Sequence, residues 1–239
     1  MSNKTALANY FKSSIKYDYC INCAAITDTT GCEKDKKEQS YRVNSLAVKW
    51  ISKACHNVGT HLIHISTDYV FSELIANVDE NNKSDCGENM VKLPFNNDDD
   101  EFPVNTYGYH KLIGELFIKS TMNSSEYTIL RVSWLYGKHN SKSFVHRFLR
   151  NCQKQITEQI QNKSKKTTTD QFTIDFNDID EISLPTNCEN VFIRICNIIR
   201  YDLSGILNGC DYSEDNSGIS RLQWAYAIVD RVSNYFPIF

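Results

Sequence analysis

The 239-residue sequence predicts an α/β fold in which parallel strands form a sheet that is flanked by helices. Three observations predict it: short apolar runs, helical apolar periodicity between those runs, and small or polar residues where the runs end. A strand, a helix and a second strand in that order require a crossover, which makes the two strands parallel. The length indicates one large domain or one domain with a small appendage, and 41% hydrophobic residues can fill its core.

Composition and cysteine usage exclude several classes of protein. The formal net charge is −3, so neither a nucleic acid nor an anionic membrane is indicated as a partner. There is no apolar run of about 18 residues and no signal-peptide core, so we expect a cytoplasmic protein. The nine cysteines are irregularly spaced, which favours reduced thiols. Cys20 and Cys23 form a CxxC pair, but positions three apart in a strand face opposite sides, so no metal site is predicted.

The first part of the chain alternates between helix and strand patterns. Residues 3–16 show helical periodicity, and residues 19–25 form an apolar run that ends in small side chains. A buried parallel strand fits this run, and small residues at its end either let a ligand approach or simply ease packing. Residues 39–56 predict a helix that Gly59 ends, and residues 61–66 predict the next strand.

The later elements follow from the same patterns. A polar insertion with irregular charge order precedes the helix predicted in the stretch at residues 103–115. A loop with one strand is expected after the fourth predicted helix. In chain order the predictions are an exposed insertion at 72–93, a strand at 127–134, a helix at 143–160, a loop with one strand at 161–186, a helix at 189–200, a strand at 204–208 and a helix at 219–235.

The stretch at residues 103–115 carries the chemistry that the sequence suggests most clearly. Asn105 is a plausible N-cap for a helix, and Tyr107 and Lys111 are four apart, so they occupy one face. A lysine ammonium beside a phenol favours the phenolate and lowers the tyrosine pKa from its ordinary value of about 10. Such a tyrosine can give a proton to a carbonyl oxygen while hydride reaches the carbon. The alternative interpretation of this spacing is an ordinary surface pair.

Two polar clusters allow a binding role or a plain structural role. Ser66, Thr67 and Asp68 close a predicted strand, at the sheet edge where open α/β folds bind their ligands. An ordinary Ser-Thr-Asp turn would look the same. The acidic run at 96–101 could bind a cation such as Mg²⁺, although the sequence favours a solvated loop there.

Several motifs in one order resemble the dTDP-4-dehydrorhamnose reductases, which belong to the extended short-chain dehydrogenase/reductase superfamily. The resemblance rests first on residues 66–71, 103–115 and 130–137, and it is strong over residues 18–150. Further segments that look like motifs of this family are 22–25, Val43 with Asn44, 94–105, Asp170 with Gln171, and 184–186.

The resemblance implies an NADPH-dependent (or NADH-dependent) oxidoreductase that reduces the 4-keto group of a nucleotide-linked 6-deoxy-4-keto sugar in dTDP-rhamnose biosynthesis. Tyr107 would be the proton donor, and Lys111 would lower its pKa and hold the nicotinamide ribose. Thr67 would hydrogen-bond the substrate carbonyl, and Asp68 would lie beside the sugar. The implied cofactor-binding residues are Cys23, Ala24, Ala25, Asn44, Ser66, Tyr107 and Lys111, and the implied substrate-binding residues are Thr67, Asp68, Ser133 and Trp134.

The resemblance also implies a Rossmann-like parallel sheet, with one departure. The strand at 19–25 resembles the fourth strand of the family, and the Gly-rich turn that binds the pyrophosphate is absent from the 239 residues. We therefore expect an N-terminally truncated form, either a fragment or a homologue that has lost cofactor binding. Residues 1–160 would form the partial NAD(P)-binding domain, and residues 161–239 a smaller substrate-side region.

Two other functions stay open at this point. One is a non-catalytic binding homologue, like the regulatory β subunit of methionine adenosyltransferase, which would join a protein partner. The other is a nucleotide-sugar epimerase or dehydratase, which would keep NAD bound without net oxidation. For the reductase and for the epimerase or dehydratase, the expected binding partner is a nucleotide sugar. Either a homodimer or a heteromeric assembly is compatible with the sequence.

Overall fold

A computed structural model describes residues 4–12, 16–71, 101–103, 105–162, 182–211 and 218–233 of the chain. The predicted insertion at 72–93 and most of the predicted loop at 161–186 lie outside these ranges. Within them, no helix combines the length and the apolar character that crossing a membrane requires.

The chain divides into two compact units, each built from separate segments. The first unit comprises residues 1–73, 94–133 and 189–211, and the second comprises the remaining residues. The predicted division into 1–160 and 161–239 is a linear one and stays a prediction.

The first unit contains a four-stranded parallel sheet, as the sequence predicts. Its strands are β1 (Tyr19–Asn22), β2 (His61–Thr67), β3 (Tyr127–Val132) and β7 (Gly205–Asn208), and they are adjacent in that order. Every residue of β3 is buried, as expected for a central strand of a parallel sheet that is covered on both faces. The Rossmann-like α/β fold class is therefore confirmed.

Helices of the first unit cover the sheet with apolar side chains. These helices are α1 (Lys4–Phe11), α2 (Thr29–Glu33), α3 (Lys37–Tyr41), α4 (Ala47–Val58), α5 (Thr106–Lys119) and α7 (Cys188–Tyr201), whose first residue belongs to the second unit. The core joins α4, α5, β2 and β3 through Val48, Ile51, Cys55, Leu62, Ile118 and Ile129. Burial of this apolar surface is the main term that holds helices and sheet together.

The helix predicted at 39–56 is interrupted. A π-helical turn, Arg42–Leu46, separates α3 from α4 and carries the buried polar residue Asn44. π-helical turns are rare in proteins, and those that occur often lie at functional sites. The predicted end of the helix is confirmed, since Gly59 has a left-handed φ of 71° and its N–H caps α4.

Two predicted strands end earlier than expected. β1 stops at Asn22, and residues 23–25 form a loop after it. β3 stops at Val132, because Trp134 has a φ of 35°, which a strand cannot contain. The predicted helices at 143–160 and 189–200 are confirmed, with bounds that differ by one or two residues.

The second unit is built around an aromatic cluster. It contains α6 (Phe144–Asn162), α8 (Arg221–Ser233), the parallel pair β4 (Leu135–Tyr136) and β6 (Thr186–Asn187), and the antiparallel pair β5 (Ile182–Ser183) and β8 (Ile219–Ser220). Trp134 stacks on Trp224 with 5.6 Å between ring centroids, and the Arg221 guanidinium lies 3.5 Å from the Trp134 centroid. Stacking and cation–π attraction both favour this arrangement.

Candidate active site

The carboxyl end of β2 turns sharply, and the turn is organised by Thr67. Its hydroxyl accepts from the Tyr69 N–H at 3.3 Å and lies 3.2 Å from the Asp68 carboxylate. Thr67 thereby caps a short 3₁₀ turn, Asp68–Val70. The segment is a local turn at the carboxyl end of a parallel strand, and its role in ligand binding stays a prediction.

Helix α5 begins directly against this turn. Asn105 is the predicted N-cap, and its side-chain oxygen accepts from the Gly108 N–H at 2.7 Å. Gly108 is pressed against the Tyr69 carbonyl oxygen so closely that a Cβ at this position would clash with it. This close approach brings Tyr107 to the carboxyl end of β2.

The Tyr107 ring is buried and packs edge-to-face on Tyr69, with 5.9 Å between centroids. Burial raises the pKa of the phenol, a side-chain hydrogen bond with Thr67 lowers it, and the charge of Asp68 raises it. The net direction is upward, so the expectation of a lowered tyrosine pKa is wrong for this structure. The reason is that removal from water disfavours the phenolate more than the polar neighbours favour it.

The Lys111 side chain points into the sheet. It is 1% exposed, and its Nζ donates to the Ile65 carbonyl oxygen at 2.7 Å and lies 3.1 Å from His64 Nε2. Burial lowers the pKa of Lys111 to about 8, against opposing effects of Glu115 and Cys23. The amine that was expected to act on Tyr107 is thus bound to β2, one helical turn below the phenol.

A buried ion pair lies beside this lysine, and the sequence analysis missed it. Arg131 Nη2 contacts Glu115 Oε2 at 2.7 Å, and the Ser66 hydroxyl donates to Glu115 Oε1 at 2.5 Å. Arg131 also contacts Glu101. Burial lowers the pKa of Arg131, but hydrogen bonds and charge from both carboxylates outweigh it, and the pKa is raised. An arginine inside an otherwise apolar strand was the available signal, since a buried cation needs a carboxylate.

Ser66 therefore has a structural partner. Its hydroxyl is bound to Glu115 inside the fold, and the serine is 3% exposed. The implied role of Ser66 in cofactor binding stays a prediction, and its observed contact positions α5 on β2.

Asn44 holds the loop that follows β1. Its amide accepts from the Ile26 N–H and donates to the Ile26 carbonyl, both at 2.9 Å, and also donates to Ser40 Oγ at 3.0 Å. The neighbouring Ser45 hydroxyl donates to the His110 carbonyl of α5 at 2.7 Å. The π-helical turn thus connects the loop at 23–26 to α5.

The loop after β1 carries the three small residues expected to line a cofactor. Cys23 is exposed, and Ala24 and Ala25 are half-buried. Partial burial raises the pKa of the Cys23 thiol, and the nearby charge of Lys111 lowers it. Cys20 points the other way and interacts with Cys55 in the core, so the two cysteines of the CxxC pair occupy separate environments.

Ser133 and Trp134, two of the four residues expected to bind the substrate, fall in different units. Ser133 is the last residue of its segment in the first unit, and it is buried. Trp134 belongs to the second unit, where it contacts both Trp224 and Arg221. Their common role in substrate binding stays a prediction.

The suggested cation site falls mostly on residues that the structure does not describe. Of the acidic run at 96–101 only Glu101 is described, and it pairs with Arg131 and with Lys119 at 3.3 Å. In the described ranges no group of three or more His, Cys, Asp or Glu side chains could hold a metal ion. Asp170 and Gln171 also lie outside the described residues.

The arrangement brings a small set of chemical groups to one sheet edge. Tyr107, Thr67 and Asp68 meet at the end of β2, and Lys111 lies one turn further along α5. A phenol that stays protonated, beside a hydroxyl and a carboxylate, can donate a proton to an oxygen of a bound substrate.

Comparison with known proteins gives a consistent result. Residues 1–173 match the sequence profile of the family described as the RmlD substrate binding domain. The chain is 34% identical over 128 residues to a dTDP-4-dehydrorhamnose reductase of Mycobacterium tuberculosis. The aligned residues cover 54% of this chain and 37% of that protein. It is also 26% identical over 208 residues to a dTDP-4-dehydrorhamnose reductase of Sinorhizobium fredii. Here the aligned residues cover 87% of this chain and 58% of that protein.

The fold has a clear counterpart among solved structures. A dTDP-4-dehydrorhamnose reductase from Bacillus anthracis in complex with NADP superposes with a TM-score of 0.70 at 24% identity, over 97% of this chain and 68% of that one. At this identity the likeness concerns the fold alone. The chain spans between 37% and 58% of the length of the two relatives above.

Proposed function

The chain belongs to the RmlD substrate binding domain family, and we propose that it contributes the proton-donating site of an NADPH-dependent reductase. The substrate would be a nucleotide-linked 6-deoxy-4-keto sugar, whose 4-keto group is reduced. The observation that carries the proposal is the position of Tyr107, buried at the start of α5 beside Thr67 and Asp68. The names of the M. tuberculosis and S. fredii relatives support the same reaction.

In the proposed reaction Tyr107 is the acid. Its raised pKa keeps the phenol protonated at neutral pH, and the hydrogen bond with Thr67 acts in the opposite sense, towards a stronger acid. Tyr107 donates its proton to the carbonyl oxygen of the sugar, and Thr67 would turn its hydroxyl proton from Asp68 to that oxygen as a second donor. Asp68 lies next to Thr67 and would accept from a sugar hydroxyl.

The residues of this chain fit one end of the cofactor. Nicotinamide supplies hydride when it is bound. Tyr107 would offer its hydroxyl to a ribose, Lys111 would reach it by leaving its contacts with His64 and Ile65, and residues 23–25 offer small side chains that permit a close approach. The 239 residues contain no Gly-rich turn for the pyrophosphate. A nucleotide sugar as substrate and a homodimer or heteromer as assembly remain part of the proposal.

The test begins with NADPH binding and ends with turnover. The full chain is titrated with NADPH by fluorescence, and NADPH oxidation is then followed with dTDP-4-dehydrorhamnose. Tyr107→Phe should lower the rate by about 100-fold or more, because it removes the general acid. Tyr109→Phe is the matched control, since this tyrosine is 55% exposed on the same helix and should leave the rate unchanged. A Tyr107→Phe rate within a few-fold of wild type would overturn the assignment.

The same experiment separates the two other functions. An epimerase or dehydratase would turn over the nucleotide sugar with bound NAD and no net NADPH consumption. A regulatory homologue would show neither activity and would co-purify with a protein partner. The comparisons support the reductase over both, since the M. tuberculosis and S. fredii relatives are named as reductases.

A further inference from the structure

Five groups of the first unit form a continuous chain of hydrogen bonds from the loop after β1 to β2. The Ala24 N–H donates to Asn22 Oδ1 at 3.2 Å, and Asn22 Nδ2 lies 3.0 Å from His64 Nδ1. His64 Nε2 lies 3.1 Å from Lys111 Nζ, which donates to the Ile65 carbonyl at 2.7 Å. The side chains of the three middle residues are almost wholly buried, with exposures of 4%, 0% and 1%.

The direction of this chain follows from its first bond. A backbone N–H can only donate, so the Asn22 atom beside Ala24 is the carbonyl oxygen, and the atom beside His64 is the NH₂ group. The NH₂ group donates, which makes His64 Nδ1 an acceptor. A neutral imidazole carries one proton, so that proton is on Nε2 and points at Lys111. Lys111 can accept this bond only as a neutral amine.

We propose that Asn22 and His64 are positioning residues that couple the protonation of Lys111 to the loop at residues 23–25. With Lys111 neutral, each bond in the chain points from Ala24 towards Ile65. When Lys111 gains a proton, its ammonium must donate to His64 Nε2, and the ring proton moves to Nδ1 without a change in ring charge. Nδ1–H then faces the NH₂ group of Asn22, so the amide must turn and the Ala24 N–H loses its acceptor.

The surroundings of Lys111 are consistent with such a coupling. Burial lowers the pKa of His64 well below its usual range, and Lys111 lowers it further, so the ring stays neutral and changes only its tautomer. Glu115 on α5 and Cys23 after β1 both raise the pKa of Lys111 by their charge, against its burial. The result is a lysine that changes charge near pH 8, within the range where the protein can be studied.

The coupling deepens the proposed function and rests on it only for its catalytic consequence. The loop at 23–25 is the segment expected to lie against the cofactor, and Lys111 is the residue expected to hold the ribose. A proton on Lys111 would therefore alter both contacts at once. The hydrogen-bond direction itself is independent of any activity.

The first test is nitrogen-15 NMR of the histidine rings in the full chain, recorded across the titration of Lys111. Ring nitrogens that carry a proton and those that do not differ in chemical shift, so the tautomer is read directly. We expect His64 to carry its proton on Nε2 above the Lys111 midpoint and on Nδ1 below it. A His64 proton on Nδ1 at high pH, or a tautomer that does not follow Lys111, would overturn the proposal.

The second test replaces the amide by an isosteric acceptor. In Asn22→Asp one carboxylate oxygen still accepts from Ala24, and the other accepts from His64, which fixes the ring proton on Nδ1 at every pH. We expect the tautomer change to disappear and the Lys111 midpoint to rise. A tautomer on Nε2 in this variant would contradict the relay, whereas charge alone could raise the midpoint without changing the tautomer.

The matched control is His61→Gln, three residues earlier on the same strand. His61 Nε2 contacts Thr128 Oγ1 at 2.9 Å and has no place in the chain of bonds. This variant should leave the His64 tautomer change and the Lys111 midpoint as in wild type. If it shifts both as strongly as Asn22→Asp does, the effect is a general one on the sheet and the relay is disproved.

Discussion

Two buried basic side chains in the first unit, Arg131 and Lys111, have different hydrogen-bond partners and opposite pKa shifts. Arg131 is paired with the carboxylate of Glu115, which itself accepts from Ser66, so the positive charge is retained. Lys111 faces a neutral imidazole and a carbonyl oxygen, and its pKa is lowered to about 8. The carboxylate of Glu115 lies one turn along the same helix. Both cations are buried, so they differ in their direct hydrogen-bond partners, and the guanidinium of Arg131 also starts from a higher pKa than the amine of Lys111.

The largest expected effect comes from breaking the ion pair. Arg131→Met leaves the Glu115 charge buried, and we expect the free energy of unfolding to fall by about 3–5 kcal/mol. Urea denaturation at pH 7 measures it. The double variant Arg131→Met/Glu115→Leu should recover most of this loss, because it removes both charges of the pair and Glu101 keeps Lys119 as a partner. Arg147→Met, at an exposed position, is the matched control. A loss below about 1 kcal/mol in Arg131→Met would mean that this pair resembles a surface pair.

The second effect is a pH dependence that the lysine should produce and the arginine should not. The pKa of Lys111 is lowered from 10.5 to about 8, so between these values the unfolded chain binds the extra proton. Stability relative to Lys111→Met should therefore rise with pH across this window, by about 3 kcal/mol in total. Tyr107 acts in the opposite direction above its usual pKa but is present in both proteins.

The measurement is a set of urea curves for wild type and Lys111→Met from pH 7.5 upwards. Arg131→Lys makes the comparison sharper, because it places a titratable amine beside the carboxylates, where the pKa should stay high. A difference between wild type and Lys111→Met that is flat in pH would show that Lys111 keeps an ordinary pKa.

The smallest effect is expected at Ser66. Ser66→Ala removes one neutral donor from the Glu115 carboxylate and leaves the arginine in place, so the cost should be about 1–3 kcal/mol. The measurement is again the midpoint of urea denaturation. Ser52→Ala is the control, because the bond lost there is to a backbone carbonyl within α4. A cost equal to that of Arg131→Met would imply that the serine contributes as much as the arginine to holding the Glu115 side chain.

The sequence predicted the parts of the site that depend on local spacing. Asn105 caps α5, Tyr107 and Lys111 lie on that helix four residues apart, and the Ser-Thr-Asp turn ends a parallel strand. These features follow from helix periodicity, capping chemistry and the strand–helix–strand order, which a single sequence shows.

The partners of Lys111 could not be predicted, for two physical reasons. Spacing along a helix fixes where Cβ lies, but a four-carbon side chain can reach either the phenol or the sheet. The contact between Asn22 and His64 also depends on register, since these residues are direct partners across β1 and β2. Register between strands far apart in sequence is set by the whole fold. The pKa of Tyr107 was misjudged for the same reason, because burial is a tertiary property.

The glycines of α5 bear on any attempt to re-engineer this protein. A side chain at Gly108 would collide with the Tyr69 carbonyl, and one at Gly114 with the Asn44 carbonyl, so backbone presses on the helix at two points along its length. The helix therefore has no freedom to slide or to rotate as substitutions accumulate. Variant libraries should hold positions 108 and 114 constant and diversify elsewhere, because a change at either would displace Tyr107 together with the helix that carries it.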